Sequence, residues 1–180
     1  MIDGQKMSKS LGNVISPQQL IDLFGVDGAR YLIARSFPSE NDSDVGIERF
    51  KEKYNADLAN NLGNLLSRVC KLGEGLTVEE EKFEIEKKYI ELIDNLKFDE
   101  AIGWVFENYV DKSNNRLNEV APWKLEADDA KRIEVLTECA QNLKRAAIYL
   151  QAVMPGTSEN ILKQLDGKIR ALAGGLFPRI

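Results

Sequence analysis

The 180-residue sequence contains no histidine. Without imidazole there is no His-based general acid or base, no Ser-His or Cys-His nucleophile pair, and no zinc site of the kind that needs a histidine ligand. Cysteine is almost as scarce. Cys70 and Cys139 stand far apart and lack the close spacing of a zinc knuckle, so no metal site is expected. Each lies in an apolar helical pattern, where a free thiol acts as a small core residue; a reducing, cytoplasmic setting follows. No apolar run approaches the roughly 20 residues that span a bilayer, and the opening MIDGQKMSKS has no apolar signal region. Positive charge is also short. Twenty-four Lys and Arg against 29 Asp and Glu give a net charge of −5. Bulk charge-driven binding to nucleic acid or to an anionic membrane is therefore disfavoured, and neither DNA nor a membrane is expected as a partner.

Strand signals are nearly absent, and helical periodicity dominates from residue 16 onward. Ser16, Pro17 and Gln19 form an N-terminal capping signature for the helix PQQLIDLF, which Gly25 should end. Asp27 is placed to cap a second helix, GARYLIARSF, which Pro38 closes. Polar residues 39–46 read as a loop. A long helix follows over 47–72, because Phe50, Tyr54, Leu58, Leu62, Leu65, Val69 and Leu72 recur at steps of three and four. Further helices are predicted over about 78–96, from Asp99 to Val120, from Asp128 or Asp129 to before Pro155, and over a short segment capped by Thr157 or Ser158. The tail 166–180 shows no periodicity. Amphipathic helices joined by short turns give an all-α fold, a helical bundle.

Three places could carry chemistry. The first is the string KMSKSLGN, in which Lys6 and Lys9 are three residues apart among Ser8, Ser10 and Gly12. Such a loop can present ammonium groups, hydroxyls and backbone N–H groups to phosphate. The second is on the long helix. At 100° per residue Asp57, Asn61, Asn64 and Arg68 share one polar stripe, with Asn60 beside it. Asparagine costs roughly 0.5–0.7 kcal/mol against alanine inside a helix, so three within five positions need a reason. Either they face solvent and cap neighbouring helix ends, or their amides and the Arg68 fork read base edges. The third is Ala121-Pro122-Trp123, where proline stiffens the turn and fixes the indole; a rigid, exposed tryptophan is a stacking platform for an unpaired base. Trp104 sits inside a strong apolar stripe and is assigned to the core. The acids Glu79 to Glu81 and the mixed charges of 124–134 read as solvated faces.

The string KMSKSLGN resembles the signature loop of class I aminoacyl-tRNA synthetases. FGVDGARYLIARSFP (24–38), YNADLANNLGNLLSRV (54–69), NEVAPWKL (118–125) and the closing LFPRI narrow the resemblance to the methionyl-tRNA synthetases, over essentially the whole chain. The resemblance implies a signature loop and two-helix connector (1–46), an anticodon-binding bundle (47–165) and a tail (166–180). It implies that Lys9, assisted by Lys6, stabilises the phosphates of the substrate ATP, with Ser8 and Ser10 in the same loop, and that the chain carries no cofactor of its own. It implies that Asn64 and Arg68 read the anticodon of tRNA(Met), that Trp123 on Pro122 stacks the anticodon's first base, and that Asn61 and Asn114 belong to the same surface. Asn118 stands where the family usually has Asp. The nucleotide-binding catalytic domain and the zinc-bearing insertion are missing from the chain, so the domain is an expected partner and the chain alone should not aminoacylate. Two other classes stay open: a standalone tRNA-binding module, and a helical protein-interaction module. Residues 1–15 carry few apolar side chains and are expected to be mobile without the domain they would pack on.

Overall fold

The computed structural model describes residues 1–2, 4–8, 13–38, 43–80 and 82–180. Among them the architecture is all-α, with isolated bridges in place of any sheet. Ser16 caps helix α1 (Pro17–Ser36) as expected, its hydroxyl accepting the Gln19 N–H at 3.1 Å, with proline at the first turn. Gly25, at φ 70° and ψ 170°, breaks α1 into two helical halves, a conformation that glycine adopts without a Cβ penalty. The long helix is continuous but not uniform. It runs through α2 (Ile47–Lys53), a π-helical segment πA (Tyr54–Gly63) and α3 (Asn64–Leu72). A second long helix repeats the pattern: α5 (Phe98–Val105), πB (Phe106–Asp111) and α6 (Lys112–Val120). Helix α7 (Ala130–Leu150) begins at Asp129, whose carboxylate accepts the N–H groups of Lys131 and Arg132. Helix α8 (Pro155–Gln164) closes the bundle.

One contiguous core joins these elements, with Leu58, Leu62, Leu65, Leu66, Leu117, Leu136, Leu143 and Leu150 almost fully buried. Cys70 and Cys139 are free, buried thiols, and burial pushes them up to about 11 and about 12. Trp104 is half-buried and packs edge-on against Tyr109 and Tyr149 in an aromatic cluster. No helix among the described residues is long and apolar enough to cross a membrane.

Several expectations need correction. The helix predicted over 78–96 is confined to α4 (Lys87–Asp94). Upstream of it the backbone pairs with the tail instead, Val78 N–H donating to Gly167 C=O and Ile169 N–H to Leu76 C=O, both at 2.9 Å. The tail, although aperiodic, is built into the fold. Ile169 is buried, Phe177 meets Tyr54 edge-on at 5.8 Å, and the Asn55 side chain bonds both the N–H and C=O of Ile180. Asp27 caps a different helix from its own: its Oδ2 accepts the Thr157 N–H at the start of α8. Thr157 and Ser158 are consequently buried first-turn residues rather than caps. At the start of the chain, expected to be mobile, Ile2 is 6% exposed and bridges to Val45, while Val45 N–H donates to Met1 C=O.

Candidate nucleic-acid interface

The two π segments lie side by side and set which polar groups meet. A π turn bonds N–H to the carbonyl five residues back and widens the helix, so the 100° rule fails across Tyr54–Gly63. The predicted polar stripe therefore splits. Asp57 turns toward α1, where its carboxylate accepts the Tyr31 hydroxyl at 2.8 Å and lies 3.7 Å from the Lys53 ammonium. Burial, and then the Asp57 charge, push the Tyr31 phenol well above its ordinary value. Asn61 donates to Asp111 and accepts from the Asn114 amide, each at 2.7 Å. Asn61 and Asn114 thus hold each other across the two long helices. Tyr31, Asp57, Asn61 and Asp111 line a polar cleft of about 380 Å³ with Arg35 and Glu107.

One and two turns further along α3, the polar side chains face outward. Asn64 is exposed and makes no side-chain hydrogen bond among the described residues. Arg68, four residues on and on the same face, donates to Asn118 Oδ1 at 3.0 Å and lies over the Trp123 ring, 4.9 Å from its centroid. Trp123 is 46% exposed. It does not share the fate of Trp104. The guanidinium has a neutral hydrogen-bond partner and an aromatic face, and no ion pair among the described residues, so its charge stays available.

The Trp123 turn is fixed from both sides. Ala121 ends α6 in the left-handed region, at φ 50° and ψ 57°, which costs a residue with a Cβ roughly 1–2 kcal/mol. Pro122 is buried and opens a single 3-10 turn over Pro122–Lys124. Arg132 then bridges the structure behind the indole, donating to Leu125 C=O at 2.8 Å and to Leu72 C=O, at the end of α3, at 3.0 Å. The charges of 124–134 are therefore not all a solvated face. Sequence reasoning missed Arg132, because an arginine that caps distant carbonyls has no local spacing to betray it. Asn118 was named without a role; its spacing of five from Trp123 was the available signal.

Of the signature string, residues 6–8 and 13 are described. Lys6 is exposed and Ser8 half-buried. The Asn13 side chain accepts the Ser8 N–H at 2.8 Å and donates to Lys6 C=O at 3.2 Å. Lys9 and Ser10 lie outside the described residues. Among the described residues no group of three His, Cys, Asp or Glu side chains is placed to hold a metal.

A family model described as class I (M) tRNA synthetases matches residues 1–70. The methionine–tRNA ligase of Listeria monocytogenes serotype 4b is 36% identical over 92% of this chain, and that of Caldanaerobacter subterraneus is 34% identical over 92%. The chain spans 28% and 29% of their respective lengths. Among solved structures, the Mycobacterium tuberculosis methionyl-tRNA synthetase in complex with methionyl-adenylate superposes with a TM-score of 0.78 at 26% identity, over 99% of this chain and 43% of that one. A second structure of that protein bound by methionyl-adenylate gives 0.80 at 25% identity, over 96% and 42%. In sequence and in fold the chain belongs to the methionyl-tRNA synthetase family and corresponds to part of its members' length.

Proposed function

We propose that this chain is the anticodon-reading portion of a methionine–tRNA ligase and that its cognate RNA is tRNA(Met). One observation carries the reading: an exposed, rigidly mounted Trp123 with the Arg68 guanidinium over its ring. Tryptophan supplies a π-face for an unstacked base, worth about 1–3 kcal/mol by truncation. Arg68 and Asn64 supply a charged fork and a free amide on the same helical face, which is the donor and acceptor set that discriminates base edges. Asn61 and Asn114 act one layer behind, fixing the spacing of the two long helices that carry Arg68 and Asn118.

The N-terminal loop serves the ATP step in this reading. Lys6 and Lys9 meet the charge of the transferring phosphate, and Asn13 bonds the backbone of Lys6 and Ser8. That step requires the nucleotide-binding portion, so aminoacylation belongs to the assembled enzyme. Both this portion and tRNA(Met) are the partners of the proposal.

The test is binding to a short RNA hairpin with a CAU loop, against the same hairpin with the loop changed, at fixed salt. The expected result is loop-dependent binding that falls about 5- to 150-fold in Trp123→Ala, the range implied by 1–3 kcal/mol. Equal affinity for both hairpins overturns the anticodon reading.

A further inference from the structure

The net charge of −5 repels RNA at long range, so attraction has to come from local cations that lack an acidic partner. Near Trp123 some basic groups are already committed. Arg116, on α6, lies 3.5 Å from Glu138 and 3.9 Å from Glu119. Arg132 is spent on the carbonyls of Leu72 and Leu125. Two lysines are not committed. Lys71 and Lys124 are exposed, and neither makes a hydrogen bond or an ion pair among the described residues, although Glu74 and Glu126 stand close in sequence.

Their placement follows from the contacts that mount the indole. Lys71 continues the exposed face of α3, three residues beyond Arg68 and four beyond Ser67, while Leu65, Leu66, Val69 and Cys70 face the core. Lys124 directly follows Trp123 and ends its 3-10 turn. The Arg132 guanidinium takes the carbonyl of the residue after each lysine, Leu72 at 3.0 Å and Leu125 at 2.8 Å, and so ties the two lysine-bearing backbones together. Arg68 adds a third charge, its guanidinium 4.9 Å from the Trp123 ring centroid.

We propose that Lys71 and Lys124, beside Arg68, form a phosphate-binding patch that holds the sugar–phosphate backbone of the RNA whose base stacks on Trp123. A base cannot reach the indole without bringing its own phosphodiester, and that of its neighbour, close to the turn. An ammonium on a flexible stem suits that charge: it meets phosphate as a point charge and makes no demand on base identity. The patch therefore adds affinity without sequence preference, in contrast to Asn64 and the Trp123 face. The proposal rests on RNA being the ligand of the proposed function, and not on which loop is read.

The test measures affinity of the full chain for the CAU hairpin and for the loop-changed hairpin across a range of salt. Lys71→Gln with Lys124→Gln is expected to weaken binding of both hairpins by the same factor, about five- to eightfold per lysine at 0.1 M salt, and to reduce the slope of log affinity against log salt by about 0.7–0.9 per lysine. Lys71→Arg with Lys124→Arg should keep both the affinity and the slope. Lys87→Gln with Lys88→Gln, on α4, removes the same net charge and should leave the slope unchanged. All four positions are exposed, so each variant should melt with the wild type. An unchanged slope in the first variant, a loss confined to one hairpin, or an equal loss in the α4 variant overturns the proposal. So does an absence of binding to either hairpin at the lowest salt. Equal wild-type affinity for the two hairpins defeats the anticodon reading alone, because the common loss and the slope still decide this one.

Discussion

The connector side and the Trp123 end of this bundle use the same kinds of side chain in opposite ways. On the connector, nearly every polar group of α1 that reaches the bundle is consumed by it. Asp27 caps α8, Arg30 holds the carbonyls at the α7–α8 corner, Tyr31 bonds Asp57, and Arg35 donates to Asp99 C=O at 3.2 Å while lying against Gly103. Asp27 and Arg30 match the charges of the helix ends they meet, carboxylate on an N-terminus and guanidinium near a C-terminus. At the other end Asn64 is open, and Arg68 lies over the half-exposed Trp123 ring at the surface. Polar groups that are fully satisfied fix a geometry; groups left facing outward can change partner when a ligand arrives.

Truncating one large ring on each side gives the sharpest contrast. Tyr31 is fully buried, so Tyr31→Ala should cost about 3–5 kcal/mol of stability through the cavity it leaves, measured by denaturant unfolding. Trp123→Ala removes a larger ring, yet its half-exposed site should cost less than about 1 kcal/mol, the scale of surface changes. Its effect should appear in hairpin affinity instead. A Trp123→Ala variant that unfolds like Tyr31→Ala would make the indole a structural member and erase the distinction.

A smaller break tests the connector alone. Asp27→Ala removes the acceptor for the Thr157 N–H and should cost about 1 kcal/mol, within the usual capping range. The loss should be local: amide exchange should accelerate in the first turn of α8, while the first turn of α7, capped by Asp129, keeps its protection. Uniform acceleration across both helices would show that α1 and α8 are not coupled through this contact.

Much of this was legible in the sequence because it is periodic. The apolar stripe of 47–72, the Ser16 cap, a start of α7 at Asp128 or Asp129 and the stops at Gly73 and Val120 are local signals, and the structure has each, with Asp129 as the α7 cap. The chain segments 54–69 and 118–125 pointed to the family through particular strings. What could not be read are contacts between distant residues. Asp27 looked like a cap for its own helix because sequence shows only neighbours; its true partner is 130 residues away. The polar stripe was misjudged because its geometry assumed a uniform α-helix, and the π segment left no mark in the pattern. Glu79 and Glu80 sat in a window with helical spacing, but pairing of the preceding strand-like residues with the tail decided the backbone.

Titration should separate the interior from the surface without any substitution. With no histidine, stability should be nearly flat from pH 6 to 8. Cys70 and Cys139 are raised from 9.0 to about 11 and about 12 by burial. Groups raised in the folded state contribute their full stability below the unfolded value and lose it as pH climbs toward the folded one. Stability should therefore begin to fall above pH 9. The fall should steepen above pH 10, where unfolded tyrosines ionise while burial keeps Tyr31, Tyr89 and Tyr109 protonated, aided in Tyr109 by its bond to Glu86. Urea midpoints across pH 6–11 check the shape, and a transition near pH 6.5 would contradict it.

The smallest expected effect probes how the Trp123 platform is mounted. Ala121 is held at φ 50°, directly before proline, a position where a Cβ is unfavourable. Ala121→Gly should relieve that strain and raise stability by up to about 1 kcal/mol, offset in part by the greater chain entropy of glycine in the unfolded state. The same change frees the turn that aims the indole. Hairpin affinity should therefore fall slightly, by less than the Trp123→Ala loss, even as the protein becomes harder to unfold. Opposite signs in the two measurements would show that the strained turn serves the surface platform rather than the fold. A gain in both would mean that Pro122 and Arg132 alone hold Trp123 in place, and that the left-handed residue contributes nothing to its aim.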